Sequence, residues 1–293
     1  MKIINFGSLN IDHVYSVDHF VRPGETLNSE RYEVFMGGKG SNQSIALAYA
    51  GAGVCHAGKL GRDGAWLKER LQQSGVDTTF VELTDGPSGH AIIQVNKDGE
   101  NAILLFGGSN RTITKVDAVR VLGHFSRGDY LLLQNEISAM PDIMKEAARM
   151  GLRLFFNPAP MHRDVLDYPL DLVDGFIVNE IEGGELSGET VPDRVLAAMQ
   201  RRFPRAMTVL TLGAEGVLCA QNGRTVRVPA VKVKAVDTTA AGDTFIGYFL
   251  AELMRGAKTQ AALELACRAA AICVTRPGAA DSIPRRQDVL ALD

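Results

Sequence analysis

The sequence predicts an α/β fold in which a mostly parallel central sheet is flanked by helices and joined to a second, small β-sheet. Beyond residue 128, short apolar runs typical of buried strands alternate regularly with amphipathic helical patterns. Before that point, two β-rich stretches at residues 13–36 and 81–106 interrupt the alternation. We therefore treat residues 1–293 as one α/β domain that carries a β-rich excursion.

Composition excludes several classes of protein. The chain is 46% hydrophobic and 22% charged, which is typical of a globular domain with a large core. A net charge of −3 argues against a nucleic-acid partner. No apolar run approaches the roughly 20 residues of a membrane span, and the first residues are too short an apolar run for a signal peptide. The four cysteines lack the spacing of a zinc or redox site. We expect a cytoplasmic protein with no membrane partner.

The first predicted strand, residues 3–9, leads directly to Asn10 and Asp12. These two side chains are spaced by two, so they lie on one face of an extended segment. Together they can bind adjacent hydroxyls of a polyol. A turn pair that caps the end of the strand is the alternative.

A glycine-rich segment, GGKGSNQ at residues 37–43, precedes a predicted helix of small residues at 44–52. Glycines at a helix entrance allow a ligand to approach the backbone closely, and Lys39 and Asn42 can then bind an oxygen-rich molecule. Residues 53–59 match most of a phosphate-loop pattern, but Leu60 replaces the required Ser or Thr and the match follows a helix, so we treat it as chance. The first strand is not followed by G-x-G-x-x-G, which argues against a dinucleotide-dependent dehydrogenase.

The second β-rich stretch contains a predicted hairpin, with strands at 91–95 and 102–106 around a turn at 96–99. If it pairs with the excursion at 13–36, the two would close over a pocket near Asn10, Asp12 and Lys39.

Polar residues follow the predicted strands at 130–133, 152–156, 176–178 and 207–212, which are separated by helical patterns around 141–150 and 191–203. In chain order these polar positions are Glu136, Asn157, Asn179 with Glu182, and Thr211 with Gly213. Because parallel strands end at one edge of a sheet, the sequence predicts a ligand crevice at that edge.

The central stretch is DTTAAGDTF at residues 237–245, which predicts a tight turn opening into a helix at 244–254. Small residues leave backbone N–H groups uncovered, so the turn can bind an anion at the positive end of the helix dipole. We interpret the turn as neutralising charge on a transferring phosphoryl group while Asp243 takes the proton of the attacking hydroxyl. A first-turn acid favoured by the dipole is the alternative. A further helix is predicted at 259–274, and oxygen atoms of Asp237 and Ser282 can hold a monovalent cation.

The two signatures together resemble the ribokinase family of carbohydrate kinases, also called the PfkB family, over essentially the whole chain. The resemblance implies a sugar kinase that transfers the γ-phosphoryl group of ATP to a primary hydroxyl of a pentose, with D-ribose 5-phosphate as the expected product. It implies Asp243 as catalytic base and Ala240, Ala241 and Gly242 as the anion hole for the γ-phosphate.

The resemblance also assigns binding residues. The sugar contacts are Asn10, Asp12, Gly38, Lys39, Asn42, Glu136 and Asp243. For the nucleotide, Asn179 and Glu182 organise Mg²⁺ and phosphates, while Thr211, Gly213, Gly242 and Cys267 border ATP. The K⁺ site maps to Asp237, Thr239, Cys273, Arg276, Gly278 and Ser282. Residues 11–36 and 85–110 would form a lid, through which the chain would make a homodimer.

Departures from the family pattern leave the sugar open. His90 and the segment at 106–108 alter the lid, and Cys267 replaces the usual polar neighbour of adenine. A sister kinase acting on a ketohexose, deoxyribose or a nucleoside is therefore the main alternative. A sugar-binding protein without catalysis is the lesser one.

Overall fold

Two β-sheets form the frame of the protein in the computed structural model, which describes residues 1–292. One has nine strands in the order β13-β12-β11-β10-β9-β8-β1-β4-β5, and the other has four in the order β3-β2-β6-β7. The strands are β1 Ile3–Phe6, β2 Asn10–Ser16, β3 Arg31–Gly37, β4 Val54–Gly61, β5 Asp77–Thr84, β6 Gly89–Val95, β7 Asn101–Phe106, β8 Tyr130–Gln134, β9 Arg153–Asn157, β10 Gly175–Asn179, β11 Met207–Thr211, β12 Val217–Gln221 and β13 Arg224–Val228.

The helices cover both faces of the nine-stranded sheet. They are α1 Lys39–Tyr49, α2 Ala65–Gln73, α3 Lys115–Leu122, α4 Met140–Met150, α5 Glu180–Ser187, α6 Pro192–Arg202, α7 Ala241–Met254, α8 Thr259–Val274 and α9 Arg286–Leu290. Strand residues alternate between two buried clusters. Ile3 belongs to the cluster that contains residues of α1, α2, α7, α8 and α9, whereas Ile4 belongs to the cluster that contains residues of α3, α4, α5 and α6. Burying each large apolar side chain stabilises the fold by about 1.5–3 kcal/mol.

The nine-stranded sheet confirms the predicted fold class. Its pairings from β5 through to β11 are parallel. The last two strands form an antiparallel hairpin at the edge, which the sequence analysis did not predict. Residues 53–59 fall mainly in β4 and not in a loop, so the phosphate-loop match was indeed chance. Among residues 1–292, no helix is long and apolar enough to cross a membrane.

The small sheet joins the two β-rich excursions as expected, since β2 pairs with both β3 and β6. One expectation was wrong. The first strand ends at Phe6, and Asn10 and Asp12 belong to β2 of the small sheet instead of the end of a central strand. The apolar run continues through Leu9 because the chain passes between the sheets while still buried. The predicted spacing still holds, and both side chains lie on one face of β2.

Candidate active site

A cavity of about 200 Å³ opens at the carboxyl ends of the central strands. Its lining brings together residues from both signatures and from three strand ends: Lys39, Asn157, Ala159, Ile177, Val178, Asn179, Glu182, Thr211, Thr238, Ala240, Gly242, Asp243 and Ile246. The strand order reverses at β1, which pairs with β4 on one side and β8 on the other, and β8 pairs in turn with β9 of the cavity wall. Ligands of open α/β sheets bind at such a switch point, so the predicted crevice exists.

Helix α7 presents free backbone donors to this cavity. Ala240 stands before its first turn in the left-handed conformation, with φ 59°. Within residues 1–292, the backbone N–H groups of Gly242 and Asp243 donate to no protein acceptor. A Cβ built on Gly242 would meet no atom within 4 Å, so the backbone there is open to a ligand. The start of α7 is thus a competent anion-binding position.

Asp243 is buried, with 7% of its surface exposed, and two side-chain amides of α1 hold it. Asn42 Nδ2 donates to Asp243 Oδ2 at 3.1 Å, and Gln43 Nε2 donates to Oδ1 at 2.8 Å. Residues 200 positions apart in the chain therefore meet at a single carboxylate. A buried carboxylate with polar partners on both oxygens is held in one orientation.

The distance between α1 and α7 is determined by small residues one turn beyond Asn42 and Asp243. A Cβ on Gly247 would lie 2.7 Å from the backbone nitrogen of Leu47 and would also collide with Ala46. Gly247 follows Asp243 by four residues, and Ala46 follows Asn42 by four, so each pair lies on one helix face. Small residues at this crossing therefore bring Asp243 within hydrogen-bonding distance of Asn42.

The start of α1 differs from that of α7, because its backbone donors are satisfied by the protein. Lys39 N donates to Glu136 Oε2 at 2.9 Å, Gly40 N donates to Ser8 Oγ at 3.2 Å, and Ser41 N donates to Ser8 O at 3.0 Å. Gly38 precedes the helix with φ 94°. The helix begins at Lys39, five residues before the predicted start at 44.

Lys39 carries the positive charge of the site. The carboxylates of Asp243, Glu136 and Glu182 raise the pKa of Lys39, so its ammonium group stays charged inside the crevice. Glu136 also accepts a hydrogen bond from the Ser8 hydroxyl. Burial raises the pKa of Glu136, more than Lys39 and Ser8 lower it.

Asn10 and Asp12 extend the site toward the small sheet. Burial, and then the charge of Glu136, raises the pKa of Asp12 to about 7. Asn110 Nδ2 donates to Asn10 Oδ1 at 2.8 Å and also binds the backbone of Leu9. This bond occupies the oxygen of Asn10 and so fixes which end of its side-chain amide is the donor.

The Asn179 and Glu182 pair forms a capping box at the start of α5. Glu182 N donates to Asn179 Oδ1 at 2.9 Å, and Asn179 N donates back to Glu182 Oε2 at 3.0 Å. Glu182 also accepts from Asn157 Nδ2 at 3.3 Å. Burial raises the pKa of Glu182. Helix capping therefore explains the spacing of the two residues and also holds Glu182 against the cavity.

The predicted nucleotide residues are only partly brought together. Thr211 lines the cavity, and Gly213 begins the next turn with φ 53°. Cys267 lies in α8, 8% exposed in the apolar core, and does not line the cavity.

The predicted cation residues lie in one region beside α7. Asp237 accepts from Thr239 N and from Gly278 N, both at 2.9 Å. Burial alone would raise the pKa of Asp237, but the hydrogen bonds from Thr239 and Gly278 outweigh it, so the pKa is lowered overall. Cys273 Sγ lies 3.0 Å from Ser282 Oγ. Arg276 directs its side chain to Asp288 at 3.3 Å, so only its backbone can serve a cation.

Several polar residues that build the site were missed or left without a role by sequence reasoning. They are Ser8, Gln43, Asn110, Gln134 and Asn157. Asn157 had the signal of a polar strand end, and Gln43 lay inside a recognised signature. Ser8 and Asn110 had no signal of their own, because their partners are more than 30 residues away. Among residues 1–292, no group of three or more His, Cys, Asp or Glu side chains is arranged to hold a metal ion.

The fold and the cavity define an α/β protein with an anion-binding helix start at its ligand crevice, and comparison with known proteins identifies its family. Residues 1–286 match the model of the pfkB family of carbohydrate kinases, to which the chain belongs. A ribokinase of Haemophilus influenzae is 38% identical over 293 residues, covering 97% of this chain and 95% of that protein.

Solved structures agree. A ribokinase of Thermotoga maritima matches with a TM-score of 0.89 at 35% identity, covering 99% of this chain and 98% of that one. A ribokinase of Arabidopsis thaliana complexed with ribose and ATP matches with a TM-score of 0.89 at 27% identity, covering 99% and 97%. The predicted fold and enzyme class, a carbohydrate kinase, are therefore confirmed.

Proposed function

We propose that this enzyme transfers the γ-phosphoryl group of ATP to the primary hydroxyl of D-ribose, giving D-ribose 5-phosphate. One observation carries the proposal: Asp243 stands beside the free N–H groups of α7 and is held by Asn42 of the other signature. The ribokinase relatives, including one complexed with ribose and ATP, favour ribose over the substrates of a sister kinase.

Asp243 takes the proton of the attacking hydroxyl. Asn42 and Gln43 fix its carboxylate through one hydrogen bond to each oxygen. The adjacent backbone N–H groups of Gly242 and Asp243 neutralise charge on the phosphoryl group during its transfer. Ala240 and Ala241 shape the turn that leaves those donors free. Phosphoryl transfer needs little covalent chemistry from the protein, so positioning and electrostatics supply most of the rate.

Sugar hydroxyls are bound by Asn10, Asp12, Asn42 and Glu136, around the turn at Gly38. Asn42 Oδ1 is a buried oxygen with no protein partner, which suits a substrate hydroxyl donor. Lys39, charged between the carboxylates of the site, binds oxygens of the sugar and the transferred phosphoryl group. The nucleotide lies along Asn179, Thr211 and Gly213. Cys267, which does not line the cavity, is assigned to the nucleotide by the family resemblance alone.

The residues present fit Mg²⁺ carried by ATP. Glu182 is a cavity-lining carboxylate oriented by Asn179 and Asn157, and Mg²⁺ prefers one or two such groups together with substrate phosphates. A bound ion would supply positive charge to the phosphates of ATP. Glu182, whose carboxylate is oriented by the capping box with Asn179, would hold it.

The oxygens beside α7 fit a monovalent cation such as K⁺. They are the Asp237 and Ser282 side chains with backbone carbonyls of Thr239, Cys273, Arg276 and Gly278. The Asp237 carboxylate is held by Thr239 N, two residues beyond it, so it belongs to the loop that leads into α7. A cation there would order the loop and with it the free donors of α7.

The small sheet is proposed as a lid and as a dimer interface. Asp12 and Asn10 of β2 belong to the sugar site, while Ile103, Leu104, Leu105 and Phe106 of β7 are all more than half exposed. Adjacent residues of a strand point to opposite faces, so both faces carry uncovered apolar surface. A second copy of the chain would cover it, because monomers rarely leave such patches open.

All four cysteines are free thiols, which fits a cytoplasmic enzyme.

A coupled assay with ATP and Mg²⁺ tests the function. D-ribose, 2-deoxyribose, a ketohexose and nucleosides are compared by kcat/KM, and phosphorus NMR locates the new ester. We expect ribose to be preferred and phosphorylated on its primary hydroxyl. A higher kcat/KM for deoxyribose or a nucleoside would instead identify a sister kinase.

Asp243→Asn should lower kcat by about 10²–10⁴-fold and leave ribose affinity nearly unchanged.

A further inference from the structure

We propose that Gln43 is a positioning residue for the reaction, because its side-chain amide orients Asp243 and a buried row of amides fixes which end of Gln43 faces that carboxylate. The row consists of Asn5, Gln134 and Gln43. The inference rests on the proposed function, in which Asp243 takes the proton of the sugar hydroxyl.

The row is continuous from a backbone carbonyl to Asp243. Asn5 Nδ2 donates to Gly40 O at 2.7 Å, and Gln134 Nε2 donates to Asn5 Oδ1 at 2.9 Å. Gln134 Nε2 donates also to Gln43 Oε1 at 2.6 Å. Gln43 Nε2 then donates to Asp243 Oδ1 at 2.8 Å. The three amide side chains belong to residues that are 0% exposed, so water cannot substitute for a lost partner.

The row has a direction that its chemistry imposes. A side-chain amide can be turned over, which exchanges its donor and its acceptor. The carbonyl of Gly40 only accepts, so Asn5 must present its NH₂ group there and its oxygen to Gln134. Gln134 then donates to the oxygen of Gln43, which leaves the NH₂ group of Gln43 for Asp243. The reversed arrangement would place a carbonyl oxygen against the carboxylate.

A second anchor gives the same direction. Gln43 Nε2 also lies 3.3 Å from Asn157 Oδ1, and Asn157 Nδ2 donates to Ile177 O at 3.0 Å. This carbonyl also only accepts, so the oxygen of Asn157 must face Gln43. Both anchors therefore require Gln43 to act as a donor at its Nε2 end.

The two amides that hold Asp243 differ in what else they contact. Asn42 keeps a buried oxygen with no partner, so it is free to bind substrate. The oxygen of Gln43 accepts from Gln134, and its NH₂ group donates to Asp243 and Asn157. Gln43 therefore acts through Asp243 and not on the sugar. Losing its hydrogen bond should change the rate and leave sugar binding intact.

Two variants at Gln43 test this role. Gln43→Leu removes the donor at similar volume, and since hydrogen bonds to charged groups are the stronger kind, kcat should fall about 10- to 100-fold with KM for ribose within about threefold. Gln43→Glu places a second carboxyl against Asp243, so the pair holds one proton more tightly. The acidic limb of the kcat profile should then move to higher pH, which a purely structural role would not cause.

Gln134→Glu tests the row with Gln43 left in place. At high pH, where the new carboxyl is ionised, it accepts only, so it turns the NH₂ group of Gln43 away from Asp243, and kcat there should fall about 10-fold or more. Asn135→Leu is the matched control, because Asn135 is an adjacent buried amide that binds Pro160 O and Tyr168 and not the row. It should lower stability without moving the pH profile. Circular dichroism and thermal unfolding establish that each variant is folded.

The outcomes separate this inference from the proposed function. Wild-type kcat and an unmoved acidic limb in both Gln43 variants, with Asp243→Asn inactive, would overturn the role of Gln43 and leave the function standing. A wild-type kcat in Gln134→Glu would overturn the row. No turnover of any sugar by the unmodified enzyme would instead remove the function itself.

Discussion

Two glycine-containing signatures each begin a helix at the same cavity, and the two helix starts do opposite things. In α1 the backbone donors of Lys39, Gly40 and Ser41 are bound by Glu136 and Ser8. In α7 the donors of Gly242 and Asp243 have no acceptor in residues 1–292. A glycine-rich helix start is therefore not in itself an anion site. The backbone donors at the start of α1 are bound within the protein and hold that helix in place, whereas those at the start of α7 are free to bind the phosphoryl group.

Among the changes that test this contrast between the two helices, Gly242→Ala is expected to give the largest effect. Its Cβ meets no protein atom, so stability should stay the same or rise by up to about 1 kcal/mol, as for glycine to alanine in helices. The methyl group would obstruct the anion, and kcat/KM for ATP should fall about 10²-fold, comparable to the loss of one oxyanion donor. Steady-state kinetics with ATP varied measures this. A wild-type kcat/KM would mean that α7 does not bind the phosphoryl group.

Gly40→Ala is the matched change in α1 and should act on stability. Its Cβ would lie 2.6 Å from the carbonyl carbon of Gly7, a backbone contact that cannot yield easily. We expect a loss of about 1–3 kcal/mol in the free energy of unfolding, as for other overpacked sites. Urea unfolding measures it, with Gly242→Ala as the control. An unchanged unfolding midpoint would remove the structural contrast between the two helices.

The pH dependence of sugar binding should be the next largest effect. The pKa of Asp12 is raised to about 7, so this side chain is a carboxylate above that pH and a neutral acid below it. The charged acceptor for sugar hydroxyls is lost as pH falls, and KM for ribose should rise up to about tenfold per pH unit below 7.

Asp12→Asn supplies the control for this pH dependence. It removes the titrating group at similar size, so KM should be higher than in the unmodified enzyme and nearly independent of pH between 5 and 8. A wild-type pH profile of KM in this variant would assign the titration to another group.

The sequence predicts those parts of the site that lie close together in the chain. The pattern at 237–245 predicts the open turn, and the Asn179 and Glu182 spacing is explained by a local capping box. The sequence does not predict that the first backbone donors of α1 are bound by the protein, because the acceptors Ser8 and Glu136 lie 32 and 97 residues from those donors. Long-range partners of this kind depend on the strand order, which periodicity does not specify.

The same limit explains the misplaced first strand. An apolar run from residue 3 to residue 9 is compatible with a single strand, and only the strand pairings show that β1 ends at Phe6 and that the small sheet begins at Asn10. The edge hairpin β12–β13 was missed because its second strand is largely exposed, with a charged residue at two of five positions, and carries little apolar signal. Burial and pairing decided both cases.

Ser8→Ala should give the smallest effect and tests how α1 is held. The hydroxyl accepts from Gly40 N at 3.2 Å and donates to Glu136, whereas the backbone oxygen of Ser8 keeps its bond to Ser41 N at 3.0 Å. One of two anchors is lost, so the free energy of unfolding should fall by about 1 kcal/mol. Losing the donor also raises the pKa of Glu136 further, because Ser8 stabilises its charged form. KM for ribose should then increase severalfold, and more at low pH than at high pH, because the neutral acid is the form that loss of the donor favours. A fall in kcat as large as that of Gly242→Ala would mean that both helix starts serve the phosphoryl group, and the contrast between a closed α1 and an open α7 would fail.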